Sequence, residues 1–352
     1  MNHYLSLVSI LLITLMSACD LGEGPGPVET DPDTPSVNTL SPTNITETGF
    51  QLNWSISSPT GFQSIAIELA EDKELSRIIK YEEIADITSE NYLIDGLKGA
   101  RAYYYRLVLL DNGTRIAESE IKETETTYRM DNIDLVTEDA YTLSGKLAYL
   151  ESLSGSRPGI IMMHEFGVWV NPWTGSTLMK QLVAEGYVCL TFFFRGHGTS
   201  DPVDDLMDLV NNKGLLINDL QAAITFMSTD ELVRPGELGL LGGSMGAIMA
   251  LAGNGYDEVL TSVALSPTTD GVFLLFPNIT LNSVYYLVGE QDIHEEIQGG
   301  DFPAETQTLY ELTEEPKKLD IIEGTSDHGS NLLSRDSLNT SITDWILERV
   351  PV

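Results

Sequence analysis

The sequence predicts two folded units, a small all-β sandwich followed by an α/β unit whose mostly parallel sheet carries helices on both faces. Three observations predict this. From Leu40 to about Thr127 apolar residues recur with a period of two, as in Phe50, Leu52 and Trp54. Beyond Tyr128 unbroken apolar runs such as Pro158 to His164 alternate with segments of helical spacing. Strict alternation marks strands with one buried face, whereas continuous apolar strands between helices mark a sheet covered on both sides. Third, the run Leu238 to Leu251 passes from apolar strand to small-residue helix through Gly242-Gly243-Ser244-Met245-Gly246. That pattern fits a sharp strand-to-helix turn with an exposed serine.

The chain has 352 residues and a formal charge of −34, with 53 acidic against 19 basic side chains. So acidic a surface repels phosphate backbones, which excludes nucleic acid as an expected partner. Leu5 to Met16 is apolar but too short to span a bilayer comfortably, and it ends in Met16-Ser17-Ala18-Cys19. Residues 1–18 read as a secretory signal. Ending on cysteine, the segment resembles a bacterial lipoprotein signal, which implies lipidation at Cys19 and an extracytoplasmic, membrane-anchored protein. Residues 19–37 are rich in Gly, Pro, Asp, Glu and Thr and read as a flexible tether. Cys189, the other cysteine, lies in an apolar run and reads as a small buried hydrophobe.

Residues 38–127 form the expected sandwich. Ile65, Ile67 and Leu69, then Tyr103, Tyr105, Leu107 and Leu109, repeat the alternation, with turns at Ser57-Ser58-Pro59, Lys98-Gly99 and Asp111-Asn112-Gly113. A closing strand runs from Glu118 to Thr126. Trp54 sits early, in phase with Phe50 and Leu52, and Leu97 precedes Tyr103 by six residues. In these features the segment resembles a fibronectin type III domain, which implies a spacer or, alternatively, a binding module.

Residues 128–352 form the α/β unit. Tyr128 to Leu150 predicts a hairpin around Glu138-Asp139. Thr177 to Glu185 is an amphipathic helix closed by Gly186, and Leu215 to Met227 is a second. Buried strands follow at Tyr187 to Phe194, Leu238 to Leu241, Ser262 to Ser266, Val284 to Val288 and Lys318 to Ile322. A last helix runs near Asn339 to Arg349.

Chemistry gathers after the strands. A serine in a strained turn, flanked by Gly242 and Gly246, stands above the sheet edge. The next backbone N–H, that of Met245, faces any oxyanion formed there. After the strand Val284 to Val288 comes Gly289-Glu290-Gln291-Asp292, and after the last strand Asp327-His328-Gly329. With this order the unit resembles an α/β-hydrolase, closest to the dienelactone-hydrolase-like branch. The resemblance implies Ser244 as nucleophile, Asp292 as the acid and His328 as the base. Glu290, Glu295, Glu296 and Asp327 are competing carboxylates, and His294 falls too early, in the acid loop. From the loop His164-Glu165-Phe166-Gly167 it implies the Phe166 N–H as second oxyanion donor. Glu165 is then either a tie holding the nucleophile or loop, or a turn cap. Arg195-Gly196-His197-Gly198-Thr199-Ser200 matches a structural loop of the fold, with Arg195 tying neighbouring loops; His197 precedes the nucleophile and is set aside as base. Trp169 and Trp173 could line a pocket or pack. The family's nucleophile is often cysteine, and serine shifts the expectation towards ordinary esters. Only about 17 residues separate Ser266 from Val284, so no large lid is expected there.

No metal or organic cofactor is expected: neither an HExxH motif nor a Gly-rich phosphate loop occurs. The expected activity is hydrolysis of a small or surface-presented carboxylic ester through an acyl-enzyme. The alternatives are a peptidase of the same fold and a non-catalytic surface binding or scaffold protein.

Overall fold

The computed structural model describes residues 34–275, 277–294 and 300–352. The expected signal, Cys19 and nearly all of the expected tether lie outside the described residues, as do Glu295 and Glu296.

Eight strands build the N-terminal unit: β1 (Ser36–Thr39), β2 (Phe50–Ser57), β3 (Ser64–Ala70), β4 (Ile78–Ile84), β5 (Asn91–Ile94), β6 (Ala102–Asp111), β7 (Thr114–Glu118) and β8 (Lys122–Glu125). They form two antiparallel sheets, β1-β2-β5 and β4-β3-β6-β7, with β8 also on β6. Inward residues of both sheets, including Phe50, Trp54, Ile67, Tyr103 and Leu107, make one core cluster. Two details differ from the sequence expectation. The first strand begins at Ser36, so residues 36 and 37 belong to the sandwich and not to the tether. The closing strand expected at Glu118 to Thr126 is shorter, Lys122–Glu125 alone, with Glu118 ending the separate strand β7. Between the two, the Ser119 N–H donates to the Leu107 carbonyl and the Leu107 N–H donates to the Ser119 hydroxyl. A side chain thus takes the place of a ladder acceptor, and β8 lies beyond it on the N-terminal half of β6. The Tyr103 hydroxyl accepts from the Lys98 N–H at 2.9 Å, anchoring the turn before β6.

The C-terminal unit contains β9 (Arg129–Val136), β10 (Thr142–Tyr149), β11 (Arg157–Met163), α1 (Thr177–Glu185), β12 (Val188–Phe192), α2 (Met207–Asn211), α3 (Gly214–Thr229), β13 (Val233–Gly243), α4 (Met245–Ala252), β14 (Val259–Leu265), α5 (Thr269–Leu275), β15 (Asn282–Gly289), α6 (Phe302–Leu312), β16 (Glu314–Ile322) and α7 (Asp336–Arg349). Its eight-stranded sheet runs β16-β15-β14-β13-β11-β12-β10-β9. β9 and β10 pair antiparallel, as does β10 with β12; the remaining pairings are parallel. Because side chains alternate across a strand, Ile161, Met163, Leu240 and Tyr286 join α3, α4 and α6 on one face. Ile160, Met162, Leu241 and Tyr285 join α1 and α7 on the other. Ser176 caps α1 by accepting from the Met179 N–H, and Gly186 ends it in the left-handed region at φ 102°. The two units meet without a linker. The Thr127 N–H donates to the Thr46 carbonyl and its carbonyl accepts from the Ala100 N–H, pinning the last residue of the sandwich, and across the junction the Glu151 and Ser152 N–H groups donate to the Glu47 carboxylate. Ala100 shares the second core cluster with Leu150, and Arg101 pairs with Glu185.

Candidate active site

Four consecutive parallel strands deliver a polar side chain to the same edge. Ser244 follows β13, Ser266 follows β14, Asp292 lies three residues past β15, and His328 lies in the loop after β16. Ser244 sits at φ 51° and ψ −112°, outside the regions an L-residue prefers. Its N–H donates to the Leu265 carbonyl at 2.8 Å, pinning the turn to the neighbouring strand. The turn is possible because of its glycines. A Cβ on Gly242 would collide with the Gly246 carbonyl, and one on Gly246 with the Met163 carbonyl on β11. Both clashes are with backbone, which cannot move aside. As the first residue of α4, Met245 has an N–H with no intrahelical acceptor.

Asp292 is fully buried. Its Oδ1 and Oδ2 lie 3.0 and 2.9 Å from His328 Nδ1. A carboxylate has only acceptors to offer, so Nδ1 carries the proton and Nε2 is left with a free lone pair. The Ser266 hydroxyl donates to Asp292 Oδ2 at 2.7 Å and accepts from the Gly329 N–H at 3.1 Å. It therefore ties the carboxylate to the residue beside His328. Like Ser244, Ser266 has a positive φ, at 53°, and unlike it is fully buried. Asp327, a rival carboxylate in the sequence, pairs instead with Arg335, which holds its pKa below the ordinary value together with Thr325. Glu290 accepts from the Gly324 N–H. Among the described residues the Ser244 hydroxyl has no hydrogen-bond partner, so the Ser244–His328 bond is not made in this arrangement.

Phe166 and Glu165 lie in the loop after β11. Glu165 Oε1 accepts from the Ser330 N–H, and the carboxylate packs against Gly243 and Gly329. This one side chain joins the loop after β11, the serine turn and the His328 loop. Two buried histidines hold the other end of that loop. His164 Nδ1 lies 2.6 Å from the Glu165 carbonyl, and its Nε2 accepts from the Phe194 N–H at 3.0 Å. His197 Nδ1 lies 3.0 Å from the Arg195 carbonyl, and its Nε2 accepts from the Gly167 N–H at 3.0 Å. Each ring therefore donates from Nδ1 and accepts at Nε2, which requires the neutral form. Burial pushes the His164 pKa down to about 3, and burial lowers that of His197 in the same way.

Arg195 is buried at the centre of the next loop. Its Nη1 and Nη2 donate to Asp139 at 2.6 and 2.9 Å. Its Nε and backbone N–H donate to Asp219 at 2.8 and 2.9 Å, and the guanidinium lies 4.1 Å from the centre of the Tyr141 ring. Burial works against its charge, but these two carboxylates outweigh it and raise its pKa. Arg195 thus joins the β9–β10 turn, its own loop and α3. With two partners the buried charge is compensated on both sides.

Residues 147–309 match the dienelactone hydrolase family. That match makes the C-terminal unit a hydrolase. The dienelactone hydrolase match ends before β16 and the His328 loop, and includes Ser244 and Asp292. Among solved structures, the chain is similar to an esterase from Pyrococcus furiosus at 19% identity, covering 63% of this chain and 93% of that one with a TM-score of 0.49. It is similar to a dienelactone hydrolase from Anabaena variabilis at 15% identity, covering 63% and 99%, TM-score 0.49. It is also similar to the esterase domain of a Rhodothermus marinus protein at 16% identity, covering 63% and 100%, TM-score 0.45. No curated protein matches the chain.

Sequence reasoning missed three residues that the fold brings to this edge. Ser266 gave a faint signal, a serine ending an apolar strand one strand past the serine turn. His197 was set aside as a base, yet its ring holds Gly167, next to Phe166. His294 was set aside as coming too early, yet its Nε2 lies 3.3 Å from Asp292 Oδ1. The two tryptophans separate: Trp173 is fully buried, whereas Trp169 is 67% exposed.

Proposed function

We propose that the C-terminal unit is a serine esterase. Ser244 attacks the ester carbonyl carbon and His328 Nε2 takes the hydroxyl proton. The tetrahedral oxyanion is stabilised by the N–H groups of Met245 and Phe166. His328 then returns the proton to the departing alcohol, leaving an acyl-serine. A water molecule, deprotonated by the same imidazole, releases the acid and restores Ser244. Asp292 keeps His328 in the Nδ1–H tautomer and stabilises it as a cation. The observation that carries this reading is the left-handed serine at a strand–helix junction, two strands from a buried carboxylate that holds a histidine by Nδ1. Ordering of substrate against the turn closes the Ser244–His328 bond, as apo sites often require.

The N-terminal sandwich is, in this reading, a fibronectin type III module. Its three-strand sheet opposite the sheet around β3 and β6, and its anchored Tyr103, support that. With Cys19 lipidated, sandwich and hydrolase would stand outside the cytoplasm on a membrane-anchored tether, facing small or surface-presented esters.

The Ser244→Ala variant tests the assignment. It is expected to lower turnover of p-nitrophenyl acetate by roughly 10⁴-fold or more and to abolish labelling by a fluorophosphonate probe. Wild-type turnover in that variant would overturn the reading. A Cys19→Ser variant that still incorporates a fatty-acid label would overturn the anchor.

A further inference from the structure

We propose that Asp292, His294 and His328 form an inhibitory site for a divalent transition-metal ion of the zinc type. The proposal rests on the assignment of His328 as the base. One oxygen, Asp292 Oδ1, faces two imidazole nitrogens, His328 Nδ1 at 3.0 Å and His294 Nε2 at 3.3 Å. The three donor atoms lie within 4.8 Å of one another. Zinc bonds of about 2.0 Å at tetrahedral angles place neighbouring ligand atoms roughly 3.3 Å apart, close to both spacings. Two imidazoles and a carboxylate are also a donor set that this ion prefers.

The surroundings fit. Ser266 and the His328 ring engage Asp292 Oδ2, which leaves Oδ1 turned towards both rings. Phe302 packs edge-on against His294 and His328 and fixes where the rings stand. Asp292 is buried, but the His294 side chain is 40% exposed, so an ion can enter past His294. A formal charge of −34 concentrates cations near the surface. Of the five histidines, His164 and His197 have both ring nitrogens committed to backbone groups and His3 lies in the expected signal. Cys189 is buried in the core. Among the described residues, Asp292, His294 and His328 are the one cluster of three or more metal-ligating side chains.

Binding puts the ion on His328 Nδ1 and moves the ring's one proton to Nε2, which then has no lone pair for the Ser244 proton. Asp292 is then committed to the ion and His328 can no longer become a freely oriented cation. The base is held and hydrolysis stops.

The experiment uses the full chain, wild type and His294→Ala. Zinc binding is followed by competition with a chromogenic chelator, and activity by p-nitrophenyl acetate turnover. Wild type is expected to bind one zinc and lose at least tenfold in turnover when saturated, with EDTA restoring it. His294→Ala is expected to bind zinc at least tenfold more weakly and, relative to its own zinc-free rate, to lose less than twofold in turnover at the zinc concentration that saturates wild type. Equal zinc affinity in the two proteins, or no zinc binding by wild type, overturns the proposal. If neither protein turns over ester or reacts with the fluorophosphonate, the esterase reading fails. The chelator titration then still decides the metal site.

Discussion

At the scale of single residues, the site depends on who holds whom. In the proposed esterase, His328 serves as base only if its Nδ1 stays protonated and its ring stays aimed, and the contact with Asp292 would provide both. Asp292 in turn is held by Ser266. A hydrogen bond to a charged acceptor is worth about 1.5–3 kcal/mol. Ser266→Ala removes it and also leaves the Gly329 N–H without its acceptor. We expect kcat for p-nitrophenyl acetate to fall by about 10- to 150-fold in this variant with KM little changed. Steady-state kinetics beside a thermal melt would check this. A wild-type kcat would remove Ser266 from the machinery. Ser266 was hard to find by reading because its role is a contact across two strands and a loop, and spacing along the chain carries no trace of that. The same holds for Glu165, whose partner Ser330 lies 165 residues away.

At the scale of elements, the serine turn was the most legible part of the molecule. Its glycines are dictated by backbone crossing backbone, a constraint that no rearrangement of side chains can satisfy. Gly246→Ala drives a methyl into the Met163 carbonyl, and overpacking of this kind costs about 1–3 kcal/mol or more. The expected outcome is a drop in the thermal midpoint together with lost turnover, measured by calorimetry and by ester hydrolysis. An unchanged midpoint would mean that α4 and β11 are less closely apposed than described. The α1 bounds and the β9–β10 hairpin were also readable, because Ser176, Gly186 and the alternating apolar residues are local signals. The closing edge of the sandwich was not. The expected strand starts four residues too early, since Ser119 meets Leu107 through its side chain and that contact leaves no mark in the apolar spacing. α6 went unread because its buried residues, Phe302, Thr306 and Leu309, make a sparse stripe. His294 was discounted on chain order alone, although the acid loop returns to the β16 edge of the sheet.

At the scale of the whole molecule, two neutral histidines link acid stability to the site. His164 stays neutral in the folded protein down to about pH 3, against 6.5 in the unfolded chain, and burial shifts His197 the same way. Across that window the unfolded state binds more protons. The part of stability linked to His164 is therefore full above pH 6.5 and is lost as pH falls towards 3, by up to about 1.4 kcal/mol per pH unit, and His197 adds to the loss in the same direction. Denaturant melts at pH 7.5, 6, 5 and 4 should show midpoints falling in that order, with a shallower fall in His197→Gln. Identical slopes in the two proteins would exclude His197 as a contributor.

The junction between sandwich and hydrolase carries a consequence for anyone cutting the chain. Across it Leu150 shares one core cluster with Ala100, Arg101 pairs with Glu185, and the Glu47 carboxylate accepts from the Glu151 and Ser152 N–H groups at 2.9 Å each. This is a seam, not a hinge. A hydrolase fragment begun at Tyr128 would carry a torn edge, with Leu150 uncovered and the backbone of Glu151 and Ser152 unpaired, so what such a fragment fails to do says little about which half of the intact protein does it.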